Sequence, residues 1–223
     1  ISMQPGSSVR STYLPRGAWL VVALLCVVGC LNYLDRIMLT TMRSSIIRDI
    51  PMTEAQFGLL TAVFLWVYGL LSPMAGFLAD RFNRSRIIII GLFVWSLVTW
   101  LTAHATSFRE LLGTRALMGI SEACYLPAAL ALIADYHRGA TRSLATGIHL
   151  SGIAVGQSLG FAGAWITERH SWHSAFGVFG AIGIVYSCIL LFTLRDRKKI
   201  ITPIVKVKND LNFFTVVKDL MSR

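Results

Sequence analysis

The chain has 223 residues, 55% of them hydrophobic and 14% charged, with a formal net charge of +10 and a mean hydropathy of +0.63. A soluble domain carries about 25% charged residues, so that class is excluded. Cys26, Cys30, Cys124 and Cys188 all lie in apolar runs, which excludes a disulfide-stapled secreted scaffold. What remains is a polytopic membrane protein. At about 20 residues per spanning helix the length holds six spans and little else.

The expected fold class is all-α, because backbone groups in lipid must be satisfied within the segment. The first span is expected from about Ala18 to Leu39, the second from Phe57 to Leu78, and the third from Ile87 to Ala105. The fourth runs from Leu111 to Ala134, the fifth from Leu144 to Ile166, and the sixth from Ala175 to Leu194. No signal peptide precedes the first span, which runs on for a full crossing without a small-residue cleavage site. Three regions follow: an N-terminal tail over 1–16, a six-helix bundle over 17–195, and a basic tail over 196–223. In that tail Asn209 and Asp210 can cap a short helix from Leu211 to Met221. It would place Leu211, Phe214, Val217 and Leu220 on one face and lie on the membrane surface. A disordered linker is the alternative.

Lys and Arg set the expected orientation. Fifteen of the 21 fall in the two tails and the loops after the second and fourth spans; four fall in the opposite loops. The positive-inside rule then places both ends in the cytoplasm of a cell inner membrane. The net charge needs no nucleic-acid partner, since these residues meet anionic headgroups.

A charge at mid-bilayer costs at least about 2.5 kcal/mol, so an intramembrane ionisable residue is a functional hypothesis by default. The spans hold four: Asp35, Arg36, Arg115 and Glu122. Asp35 lies about 26 Å along an outward-running first helix, and Arg115 about 6 Å into an inward-running fourth. Asp35, Arg36 and Arg115 therefore share the outer half of the membrane and can pair. Glu122 lies nearly two turns beyond Arg115 on the same face, near the midplane. Carboxylates whose partner arginine moves with substrate or conformation form a proton-coupling device; the bland alternative is a static salt-bridge cluster locking two helices. Asn32 shares the Asp35/Arg36 stripe, Tyr33 adjoins it, and Tyr68 and Gln157 add polar groups on the second and fifth spans. Each of these four suits a polar ligand and equally a helix–helix contact; the two tyrosines would also suit the interface. No metal or cofactor is expected.

Gly152, Gly156 and Gly160 recur every four residues on the fifth span and let another helix approach closely. Between the second and third spans stands Gly76-Phe-Leu-Ala-Asp80-Arg81-Phe-Asn83-Arg84-Ser-Arg86. Asn83 tolerates a left-handed conformation and can make the tight turn. The acid beside three arginines reads as a salt-bridge lock on the cytoplasmic surface.

Gly76 to Arg86 resembles the signature of the major facilitator superfamily, G-x-L-A-D-R-x-G-R-[KR]-[KR], with Asn83 and Ser85 as departures. Arg115-x-x-x-Gly119 resembles that family's fourth-helix motif. The glycine run is similar to the antiporter motif of the fifth helix, but Gln157 replaces its proline and Phe161 its last glycine, so antiport is not inferred. The resemblance covers about residues 16 to 221. It implies one six-helix half of a twelve-helix secondary transporter working by alternating access, and no enzyme.

Within the superfamily, Asn32 to Arg36 and Glu122-Ala-x-x-x-Pro-Ala resemble the anion:cation symporters of sugar acids and sialic acids. That resemblance implies proton coupling at Asp35 and Glu122, modulated by Arg36 and Arg115, with sodium the alternative coupling ion. It implies an organic-anion substrate held by Tyr33, Arg36, Tyr68, Gln157 and Asn32. The leading expectation is therefore a sugar-acid transporter; the close rival is the spinster-like group of lipid and lysolipid transporters, which the strings Asp80 to Arg84, Thr114-Arg115 and Ile133-Ala134-Asp135 resemble.

Two other classes compete. A rhomboid-like serine protease needs a serine and a histidine facing each other at depth, and only Ser151 and His149 come near. A structural six-helix scaffold would leave the buried charges idle. The chain begins at Ile1 rather than methionine and ends after an amphipathic segment of the kind that precedes a seventh helix. The expectation is a transporter half whose C-terminal partner half lies beyond Arg223. Otherwise the working unit is a dimer of halves.

Overall fold

A computed structural model describes residues 17–196, with Asp80 described in its backbone only. The tail helix expected over 211–221 and both tails lie outside the described residues. Nine helices and no strand occur among them.

Helix α1, Ala18–Thr41, starts at Gly17, whose φ of 86° is a left-handed conformation that glycine adopts without steric cost. Met42 joins it to α2, Arg43–Asp49, a short helix the sequence reading did not anticipate. Its Ile46 is buried and seats it on the bundle. Helix α3, Glu54–Arg81, opens with a capping box: the Thr53 hydroxyl accepts from the Gln56 N–H, and the Gln56 side chain accepts from the Thr53 N–H at 2.8 Å. Asn83 caps α4, Arg84–Thr102, by accepting from the Arg86 N–H at 3.0 Å. Its φ is −65°, so the turn is made by an extended cap and not by the expected left-handed residue. Capping satisfies an N–H that a left-handed Asn would leave open.

The expected fourth span is two helices, α5 (Phe108–Glu122) and α6 (Tyr125–Tyr136), separated at Ala123 and Cys124. Pro127, at the third residue of α6, has no N–H to continue the ladder across that step. The fifth span is also divided, into α7 (Ala140–Leu159) and α8 (Phe161–Arg169) at Gly160. The Thr41 hydroxyl donates to the Gly160 carbonyl at 3.0 Å and steadies the break. The sixth span is α9, Trp172–Thr193, capped by Ser171. Five segments are long and apolar enough to cross a membrane: α1, most of α3, α4, the α5–α6 run and α9. The expected fifth span does not qualify, because α7 stops at Gly160 and carries Arg142, His149 and Gln157.

Helix α1 packs chiefly on α7, α4 on α9, and α3 on α5. The α1–α7 seam needs glycine. A Cβ at Gly152 would lie 2.8 Å from the Cys26 carbonyl oxygen, and one at Gly156 would overlap the Cys30 carbonyl. Two large apolar clusters fill the bundle, and Phe64, Val98 and Met118 form a small third. One large cluster gathers Leu25, Ile88, Trp95 and Leu132 toward the end bearing the α3–α4 turn. The other gathers Met38, Leu60, Leu111, Trp172 and Phe176 toward the opposite end. Along α1, α4 and α5 the residues between the clusters are polar: Asn32 and Asp35, Thr99, and Arg115 and Glu122. All five are buried. Leu70 and Phe192, each 78% exposed, mark faces suited to lipid.

Candidate functional site

The site lies in that polar layer. Helix α1 supplies consecutive residues Asp35 and Arg36, which a helix must point about 100° apart. They part accordingly. Asp35 turns to α4, where the Thr99 hydroxyl lies 3.2 Å from its Oδ2. Arg36 turns to α5, where its Nε donates to Glu122 Oε2 at 2.7 Å. The expected pairing of Arg36 or Arg115 with Asp35 does not occur as a direct ion pair among the described residues. The helix phase of α1 hands Arg36 to Glu122 and Asp35 to a hydroxyl that the sequence reading missed. Thr99 was detectable as a polar residue in the apolar run of the third span.

Arg36 is enclosed by aromatic rings. Its guanidinium carbon lies 4.8 Å from the Tyr33 centroid, 4.8 Å from Phe64 and 4.6 Å from Tyr68. The electron-rich faces of these rings favour the cation in a poorly hydrated place. Tyr33 and Tyr68 are therefore brought to the site, and Phe64, which stacks on Tyr68 at 5.9 Å, joins them.

Arg115 is 2% exposed. Its Nη1 faces the Met118 sulfur at 3.4 Å, and its guanidinium carbon lies 5.5 Å from the Phe176 centroid. Its Nε and Nη2 are buried and have no hydrogen-bond partner. Leaving charged donors buried without acceptors is costly. Arg36 and Arg115 both line a cavity of about 260 Å³ with Tyr33 and Gln157. The rest of the wall is mostly apolar, including Leu60, Phe64 and Leu65. Tyr68 lies outside this lining and reaches the cavity through Arg36. Asn32 is buried within electrostatic reach of Glu122.

The signature segment divides its work. Arg84 turns inward, pairing with Asp135 on α6 and donating to the Ala131 carbonyl at 3.1 Å. Ser85, a departure from the signature, binds Asp196 Oδ1 through its N–H at 3.0 Å and its hydroxyl at 2.8 Å. Arg81 lies over the Phe77 ring at 6.0 Å. Gly76 has open space where a Cβ would stand. The Asp80 side chain lies outside the described residues. The protease pair does not assemble: Ser151 is exposed and donates to the Gly147 carbonyl at 3.0 Å, while His149 is fully buried.

A helical bundle with charges held between two apolar clusters, and apolar faces fit for lipid, defines a multi-pass membrane protein. Residues 25–221 match the profile of the Major Facilitator Superfamily, and the chain belongs to that family.

Among curated relatives it is similar to protein spinster homolog 1 of Homo sapiens, 34% identical over 186 residues, covering 82% of this chain and 35% of that protein. It is also similar to protein spinster of Drosophila melanogaster, 31% identical over 189 residues, covering 84% of this chain and 31% of that protein. Two crystal structures of a bacterial homolog of the human lysosomal transporter Spinster share the fold. The inward-facing occupied form has a TM-score of 0.73 at 30% identity, covering 81% of this chain and 45% of that one. The inward-facing unoccupied form has a TM-score of 0.76 at 28% identity, covering 98% and 50%. The chain thus spans about a third of the curated relatives and about half of the solved structures. The likeness favours the spinster-like resemblance over the sugar-acid group.

Proposed function

We propose that the chain is one half of a secondary transporter that carries an amphipathic anion, a lysolipid, coupled to protons. The carrying observation is Arg115: a buried guanidinium with two unanswered donor nitrogens on the wall of a mostly apolar cavity that Arg36 also lines. Two cations suit a phosphate or carboxylate headgroup, and Leu60, Phe64 and Leu65 suit an acyl chain. A sugar acid would instead ask for a wall of hydroxyl-binding groups, where Gln157 and the threonines are few. The similarity to spinster proteins supports the same substrate class.

Arg36 is the moving part. While it holds Glu122 the carboxylate is ion-paired. When an incoming anion draws the guanidinium away, Glu122 is left buried and takes up a proton, since an isolated charge there is too costly to keep. Asp35, held by Thr99, is the second proton-carrying group. Asn32, Tyr33, Tyr68 and Gln157 position the headgroup. Arg84 at the start of α4 and Asp135 near the end of α6 tie these two helices at the basic, cytoplasmic end, and release of the pair loosens that end in alternating access.

A thermal-shift screen of the full-length protein tests this reading. Lysolipids with an anionic headgroup are expected to raise Tm, and Arg115→Gln to abolish the rise. Stabilisation by hexuronates or sialic acid instead of lysolipids would overturn the substrate class.

A further inference from the structure

A second cavity, of about 460 Å³, lies away from the charged layer. It exists because α3 leans on α5 and barely touches α4 beyond the turn. Leu78 and Phe82 of the last α3 turn form one wall, Ile90 and Val94 of α4 the other, and the α5–α6 step closes the floor with Ile120 and Cys124. Gly91 also lines the groove, and a Cβ there would rest on the Ser121 carbonyl and the Trp95 ring at 3.5 Å. The cavity is mostly apolar, with Ser121 on its floor and Asn83 and Arg86 at one end.

The polar end is built for an anion. Arg84 is consumed by Asp135 and the Ala131 carbonyl, whereas the exposed Arg86 has no carboxylate partner among the described residues. Asn83 uses its Oδ1 to cap α4, which leaves its amide nitrogen as a donor beside Arg86. The distance from Arg86 to Val94 along α4 is about 12 Å, so the cavity runs from the helix end into the hydrocarbon depth. Its mouth is continuous with bilayer-facing surface: Ile90 is 61% exposed, and the same α4 face continues through Val94, Leu97 and Leu101.

We infer that this groove is a binding site for one anionic bilayer phospholipid, its acyl chain between α3 and α4 and its phosphate on Arg86 and Asn83. The site is separate from the transport cavity. Its occupant lies between α3 and α4 beside the Arg84–Asp135 pair that ties α4 to α6, so the lipid braces the same end of the bundle.

Native mass spectrometry of the full-length protein, released from nanodiscs of mixed phosphatidylglycerol and phosphatidylcholine, tests the site. One phosphatidylglycerol per chain is expected to be retained in preference to phosphatidylcholine. Arg86→Gln should cut that preference about fivefold, the factor one basic residue contributes near an anionic surface. Val94→Trp, which enlarges a side chain already on the groove wall, should lower retention of both lipids, and Arg81→Gln should change neither. Equal retention of the two lipids, or a preference that survives Arg86→Gln, would show an unspecific lipid annulus and overturn the inference. So would wild-type protein that retains no lipid, as when another segment of the protein fills the groove.

Discussion

Arg36 and Glu122 are joined by a 2.7 Å hydrogen bond between α1 and α5, with the carboxylate fully buried and the guanidinium only partly so. That asymmetry ranks the variants. Arg36→Ala strands a buried carboxylate and should cost about 3–5 kcal/mol, as breaking one side of a buried pair does. The double change Arg36→Met with Glu122→Met should cost less than Arg36→Ala alone, because no uncompensated charge remains. Unfolding in detergent, followed by intrinsic fluorescence, measures both. A double variant less stable than Arg36→Ala would show that the pair contributes through packing, not charge.

Thr99 Oγ1 lies between two acceptors, Asp35 Oδ2 at 3.2 Å and the Trp95 carbonyl at 3.0 Å. Thr99→Val preserves the shape and removes the hydroxyl. It should lower stability by about 1–3 kcal/mol, the cost of leaving a buried acceptor unanswered. Thr99→Ser should restore most of the loss. The same denaturation assay reads it, and equal stability of the Val and Thr proteins would remove Thr99 from the site.

Glycines of the fifth span separate by position. Gly156→Ala drives a Cβ into the Cys30 carbonyl of α1 and should be destabilising. Gly147 has nothing within 4 Å of a Cβ, so Gly147→Ala should be neutral or stabilising by about 0.5–1 kcal/mol, the usual helical gain over glycine. Thermal midpoints of the two variants decide this directly.

The α3–α4 turn gives a third contrast. Arg84→Ala removes the Asp135 pair and the bond to the Ala131 carbonyl. Arg81→Ala removes only an exposed cation over Phe77. Arg84→Ala should lower stability by about 1–3 kcal/mol, and Arg81→Ala should stay within about 0.5 kcal/mol. In cysteine-accessibility labelling, the first should also expose the basic end of the bundle and the second should not.

Much of this architecture is legible in residue order. Length and hydropathy place five of the six expected spans, because lipid allows a helix only one way to satisfy its backbone; the fifth is helical but divided at Gly160. Depth arithmetic puts Asp35, Arg36 and Arg115 together in the outer half and Glu122 nearly two turns deeper, since rise per residue is fixed; the structure joins Arg36 to Glu122. Partner choice is not legible there. Whether Asp35 or Arg36 faces Glu122 depends on the rotation of α1, which its close packing on α7, Cys26 and Cys30 against Gly152 and Gly156, sets. The steps at Cys124 and Gly160 also escape notice, because a hydropathy window averages across a one- or two-residue break. Asn83 illustrates a third kind of miss. Asparagine suits both a left-handed turn and an N-cap, and only the geometry of α4 selects the cap.

The most direct test of proton-coupled transport uses the full-length protein in proteoliposomes. Uptake of a labelled lysolipid is followed with and without an imposed proton gradient, in the wild type and in Glu122→Gln. The gradient should drive accumulation in the wild type and lose its effect in the variant, which keeps binding. Accumulation that ignores the gradient in the wild type, or follows it equally in Glu122→Gln, would contradict the role assigned to the Arg36–Glu122 pair.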